Sequence, residues 1–205
     1  MKRQIACLLS LCLALMFISG VSTVSALGEK DKTVIYKITH HTKAGELVTY
    51  TGYSIVVQEK AGYWLQRVTS KQPDSQPLSI TQTLLDNATH KPLRYIMHRP
   101  ANMNRPALVS DLPLDQMGKD EILPTPITNA FTDAGQVQVA AGTFAAKQGQ
   151  VGDFKLWVSP DAPVLGVVKA ETPEWTMELF RIDPKVVDLL PQKPKKGGSV
   201  PMKEE

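Results

Sequence analysis

From Thr33 onward, apolar residues recur at every second position in short runs, and Gly, Pro, Asn and Asp separate the runs. Val34, Tyr36 and Ile38 share one side of an extended segment, while Lys37 and Thr39 share the other. That period of two belongs to half-buried strands. Lys43, Ala44 and Gly45 form a hairpin turn into a long run over 46–58, where Gly52 suggests a bulge or bend. Further strands are expected over 63–69, 78–85 and 93–97. The connection Asp86-Asn87-Ala88-Thr89-His90-Lys91-Pro92 is a hairpin signal, because Asp and Asn bond their own backbone and Pro fixes the exit.

Between residues 99 and 129 five prolines break any long element. The only helix this stretch allows is a short one over 114–122, with Asp115 in its first turn. The rest reads as an extended cover over one open end of a sheet, anchored by Leu108, Leu112 and Met117. Strand character returns over 136–147, 154–158, 164–169 and 175–179. Ser159, Pro160, Asp161 and Pro163 make a corner between two of these runs, and Gly142 marks a bend or close backbone approach. A brief helical turn is expected over 185–190. The fold class is therefore mostly β: a curved antiparallel sheet or open, unclosed β-barrel of about eight to nine strands with one or two short helices. A β-sandwich is the alternative.

The N-terminus places the chain in the cell. Lys2 and Arg3 precede an apolar run over 5–21, and Val24-Ser25-Ala26 puts small residues at the −3 and −1 positions of a cleavage site. These are the parts of a secretory signal peptide. The expected organisation is a signal peptide over 1–26, a single β-rich domain over 27–187, and a disordered Pro/Lys/Glu tail over 188–205. Export to the periplasm follows, with no integral membrane span after signal cleavage. Cys7 and Cys12 both lie inside the signal, so disulfides, thiol catalysis and cysteine-bound zinc are excluded from the mature chain. Loss of Lys2 and Arg3 from 23 basic residues leaves 21 against 20 acidic ones. So even a balance argues against a nucleic-acid partner, which needs a basic stripe.

Chemistry-bearing constellations are sparse. His40 and His41 are strand neighbours and point to opposite faces, while His90 lies in a turn and His98 near a strand end. No acidic partners complete a metal set around them. No G-x-S-x-G turn occurs, Ser159 sits in a corner before proline, and Asp120-Glu121 are neighbours in a loop. No catalytic residue, cofactor or metal is assigned, and the chain is read as a non-enzyme. The aromatic residues suggest something else. Tyr53, Trp64, Phe144, Trp157 and Trp175 fall in strand-like stretches, several of them apolar on both faces. They are candidate lining residues for an apolar cavity on the concave side of the sheet.

The run Ala-Gly-Thr-Phe at 141–144, Leu-Trp-Val-Ser-Pro-Asp at 156–161, Gly-Val-Val-Lys at 166–169 and the turn over 86–93 together resemble a bacterial exported group. That group sits loosely with the LolA/LolB-like lipoprotein carriers, and the resemblance covers about residues 33 to 183. It implies a curved, incompletely closed sheet with an apolar concave face covered by short helices. In the carriers that cavity takes acyl chains. This chain has little helix to form the cover, and no family residue is carried over. The expected function is an exported, non-enzymatic protein binding a lipid or other apolar ligand in the concave face. The alternative is a structural or protein-interaction component of the envelope, and a hydrolytic enzyme comes third.

Overall fold

Twelve strands make one antiparallel sheet in the computed structural model, which describes residues 31–101, 106–117 and 131–201. In chain order they are β1 (Thr33–Thr42), β2 (Gly45–Gln58), β3 (Gly62–Ser70), β4 (Pro77–Asp86), β5 (Pro92–Arg99), β6 (Leu108–Leu112), β7 (Thr132–Val139), β8 (Gly142–Val151), β9 (Phe154–Val158), β10 (Val167–Glu171), β11 (Trp175–Asp183) and β12 (Ser199–Pro201). The sheet order is β12-β6-β5-β4-β3-β2-β1-β11-β10-β9-β8-β7. Two meanders, β1 to β6 and β7 to β11, are joined where β11 pairs with β1. Among the described residues the sheet is open, ending at β12 and β7, and its strands form one sheet rather than the two of a sandwich.

This corrects the expected strand count of eight to nine. The segment over 136–147 is two strands joined at Ala140 and Ala141, and β6 and β12 are short strands hidden among prolines and lysines. The only helical element among the described residues is the 3-10 turn Leu114–Gln116. The remainder of the helix expected over 114–122, the signal-peptide segment 1–26 and Asp120-Glu121 lie outside the described residues. No helix among the described residues is long and apolar enough to cross a membrane.

Alternation sorts the side chains onto two faces with separate cores. The inner face buries Val34, Tyr36, Tyr53, Leu65, Met177 and Leu179, together with Leu156, Val158 and Phe144 from the second meander. The sheet curls here, so that β7 lies near β10 and β11, and the Ala141 N–H donates to the Leu179 carbonyl at 3.2 Å. The Tyr36 hydroxyl, wholly buried, donates to the Val167 carbonyl at 2.8 Å. Its ring meets Tyr53 edge to face, with centroids 5.9 Å apart. Each fully buried side chain of this size contributes roughly 1.5–3 kcal/mol relative to exposure. The concave face is therefore a packed core.

The second core, on the outer face, groups Trp64, Ile80, Leu84, Ile96, Val109 and Leu190. Leu190 comes from the C-terminal segment, and this corrects two expectations. Residues 185–190 form no helical turn, and residues 188–201 are not a disordered tail. After β11 the chain crosses the outer face as a strap, and then pairs with β6 as β12. Low apolar periodicity concealed it, because polar contacts hold it down. Gln66, buried in β3, treats it as a neighbouring strand: its amide donates to the Val187 carbonyl at 2.9 Å and accepts from the Leu189 N–H at 2.9 Å. The buried Gln82 amide donates to Gln66 Oε1 at 2.9 Å and to Asp188 Oδ1 at 2.6 Å. Lys193 closes on Asp188 Oδ2 at 2.9 Å.

Two backbone positions shape the second meander. Val164 was expected in a strand over 164–169, but β10 starts at Val167 and Val164 belongs to the corner, fully buried with φ of 64°. That conformation is an outlier for a β-branched residue. The Ser159 N–H to Gly166 carbonyl bond (2.9 Å) and the surrounding core hold it there. Gly142, at the β7–β8 hairpin, has φ of 140°, and an added Cβ would meet nothing closer than Phe144 at 3.9 Å. The glycine requirement is therefore conformational. Gly142→Val should cost about 1–3 kcal/mol in urea unfolding, and an unchanged unfolding midpoint would contradict it.

Candidate binding cleft

The outer face does not pack evenly under the strap. Between β1, β2, β3 and the end of β11 a cleft of about 460 Å³ opens, bounded by the 71–76 connection on one side and residues 184–189 on the other. This volume is within the range of small-ligand sites, roughly 300–1,000 Å³. Its floor is apolar: Ile35, Gly52, Val68 and the ring of Tyr50, which meets Phe180 edge to face at 5.2 Å. Gly52 gives the floor its depth. It pairs opposite Ile35 and Val68, and an added Cβ would lie in ordinary contact, 3.7 Å from Thr33 Cγ2. The β2–β3 bulge falls between Ile55 and Val57 instead, so Gly52 is not the bulge the sequence suggested.

The rim is charged. Arg181 and Asp183 are two apart on β11, facing Ile35 and Thr33 of β1. Arg181 donates from Nη1 to Asp74 Oδ2 (3.1 Å), from Nη2 to Asp74 Oδ1 (2.6 Å) and from Nη2 to Asp183 Oδ2 (3.0 Å). Its Nε lies 2.8 Å from Asp183 Oδ1 but off the axis of a hydrogen bond. The hydrogen bonds from Arg181 hold the Asp74 carboxyl below its ordinary range, and those to Asp74 raise Arg181 further. Lys185 adds a second cation to the lining, and its carbonyl accepts from Thr33 Oγ1 at 2.7 Å.

Two of the cleft's hydroxyls are engaged by the backbone. The Ser70 hydroxyl donates to the Gln72 carbonyl at 2.6 Å, and Ser75 Oγ to the same carbonyl at 3.1 Å. Neither hydroxyl is directed at an imidazole. None of the four histidines lines the cleft; His90 Nδ1 lies 2.9 Å from the Tyr63 hydroxyl, and His41 Nδ1 is 3.5 Å from Glu46. Burial pushes the Tyr63 phenol well up. No group of three or more His, Cys, Asp or Glu among the described residues is arranged to hold a metal.

The five aromatic residues singled out in the sequence go elsewhere. Tyr53 and Phe144 are buried in the inner core, and Trp157 and Trp175 pack at its margin. Trp157 is flanked by the ammonium groups of Lys155 and Lys169, 4.6 and 5.3 Å from the ring centre. Trp64 belongs to the outer core, bonded to Glu59 at 2.6 Å. None of the five lines the cleft. Sequence reasoning missed Arg181 and Asp74 because 107 residues separate them. The one local signal was the Arg181-x-Asp183 spacing, which puts two opposite charges on one face of a strand.

No family model matches the chain and no curated protein matches it, so the likeness to the LolA/LolB-like carriers stays a resemblance. Among solved structures, the chain is similar to a presumed exported protein with a YmcC-like fold from Bacteroides fragilis. Identity is 10%, 77% of this chain and 97% of that chain are covered, and the TM-score is 0.36. So distant a match carries no inference.

Proposed function

We propose that this chain is an exported, non-enzymatic binding protein of the periplasm that holds a small apolar or amphiphilic ligand in the outer-face cleft. The observation that carries this reading is the cleft itself: an apolar floor deepened at Gly52, under a rim of polar and charged groups. The signal-like segment over 1–26 supports export. An acyl-chain site in the concave face, as in the LolA/LolB-like carriers, is disfavoured because side chains already fill that face. A hydrolytic role is less favoured, because Ser70 and Ser75 are tied to the backbone and the Asp74 and Asp183 carboxylates to Arg181.

Binding of a fluorescent fatty acid tests the reading. Gly52→Phe places an aromatic residue in a strand, where it is tolerated, and fills the floor. Wild-type protein should bind the probe, and Gly52→Phe should weaken binding at least about tenfold, the equivalent of 1.4 kcal/mol, with little change in melting temperature. Equal binding by the two proteins would remove the cleft from consideration. A second reading, an envelope interaction protein, is favoured by the outer edge of β7, which among the described strands is hydrogen-bonded to β8 alone. Cross-linking from β7 in cells should then capture one defined protein.

A further inference from the structure

The two carboxylates on Arg181 are not equivalent. Asp183 is fixed in β11, in register with Thr33 of β1. Asp74 sits on the 71–76 connection outside any strand, and its side chain is 76% exposed. Yet Asp74 makes the better contact, a two-point fork on Nη1 and Nη2. That fork is the geometry in which a guanidinium takes a free carboxylate or a phosphate. Exposed ion pairs of this kind contribute little net stability, so the partner is exchangeable.

We infer that Asp74 is an internal stand-in for the anionic head of the ligand, and that the cleft takes amphiphiles carrying a carboxylate or phosphate monoester. The inference rests on the cleft reading above. On binding, the ligand head replaces Asp74 on Arg181, and Asp74 turns into solvent, to which most of its side chain is already exposed. The apolar body of the ligand lies along Ile35, Gly52 and Val68. Charge supports the exchange. Arg181 and Lys185 balance Asp74 and Asp183 in the closed arrangement, and with Asp74 turned away one positive charge is left for the ligand head. A neutral head would break the fork without replacing it. A cationic head would meet Arg181 and Lys185 at the rim.

Calorimetric titrations with octanoate, octyl phosphate and octanol decide the matter, using the wild-type protein, Asp74→Ala, Arg181→Gln and Gly52→Phe. Octanoate or octyl phosphate should bind at least about tenfold tighter than octanol, since a charge-assisted hydrogen bond is at stake. The tighter of the two anions identifies the head chemistry. Asp74→Ala should tighten anion binding several-fold and leave octanol unchanged, while Arg181→Gln should erase the preference for the anion. Asp74 is on an exposed connection, so its variant keeps the test valid even if Arg181→Gln folds poorly. Octanol binding as tightly as both anions, or Asp74→Ala leaving anion affinity unchanged, would overturn the inference. If Gly52→Phe still blocked every ligand in that case, the cleft reading would stand. Absence of binding by all three probes would overturn both.

Discussion

Gly62→Ala should destabilise the protein by about 3 kcal/mol or more, the upper end of the usual overpacking cost. Gly62 opens β3 and pairs with Asp86 at the open end of the β3–β4 hairpin, farthest from its turn. An added Cβ would collide with the Leu85 carbonyl oxygen and stand 2.9 Å from the Leu85 carbonyl carbon. Both obstacles are backbone, so no rotamer change relieves the clash, and one strand must move away from the other. The neighbours magnify the effect. Tyr63 and Trp64 follow directly, each buried, one in the inner core and one in the outer. A shift at Gly62 therefore disturbs both faces at once. In a domain of this size a loss of 3 kcal/mol lowers the melting temperature by roughly 6–12 °C. Gly52→Ala is the matched control: its Cβ meets nothing closer than 3.7 Å, and its stability should stay within about 0.5 kcal/mol of wild type. Equal urea midpoints for the two variants would show that the start of β3 can slide and that Gly62 is not sterically required.

The sequence-level reading succeeded where side-chain alternation is strong and failed where backbone or polar contacts set the structure. Val34, Tyr36 and Ile38 announced β1 by their spacing, and Tyr63 to Thr69 announced β3 by aromatic and branched residues on both faces, which the strand buries without a break from Gly62 to Gln66. The openness and curvature of the sheet followed from the number of short strands. Leu108–Leu112 went unread as β6 because five residues between prolines carry too little pattern. The strap and β12 were illegible for a different reason. The strap's partners, Gln66 and Gln82, lie over 100 residues away, and a buried glutamine amide leaves no periodic trace in sequence; β12 is three residues long and pairs with the equally faint β6. The cleft belongs to the same category. Gly52 was visible as an anomaly in a strand, but its purpose depends on Arg181 and on the strap, which topology alone brings to it. The five strand aromatics sit in or beside the two cores, as large strand aromatics commonly do.

Removal of residues 188–205 should cost about 4 kcal/mol or more and expose the outer core. Leu190 contributes about 2 kcal/mol by burial alone, and it covers Trp64, Leu84 and Ile96 in one cluster. The Gln66 and Gln82 amides would lose strap partners at roughly 1 kcal/mol for each bond. The uncovered apolar face should promote association, read as lost solubility and increased binding of a hydrophobic dye. Asp188→Ala isolates the polar latch within the full chain. It removes the counter-ion of Lys193, which keeps the Leu190 carbonyl, and leaves Gln82 with Gln66 alone, for a loss of about 1–3 kcal/mol. Acid should reproduce part of this effect. Burial raises the Asp188 carboxyl, but the Lys193 ammonium, the Gln82 amide and the Leu190 N–H lower it more, so its net shift is downward. A carboxylate with a lowered folded pKa stabilises fully above its unfolded value, about 3.9, and loses that stabilisation as pH falls through the folded value. The latch is therefore intact at neutral pH and released only below about pH 4. Asp74 and Asp86 are lowered as well, so Asp188→Ala should reduce the acid slope of stability without abolishing it. Hydrogen exchange gives the local test: amides of β12 and of Leu189 and Leu190 should lose protection first. Full protection of those amides in Asp188→Ala would mean that Leu190 and the β6–β12 pairing hold the strap without the latch.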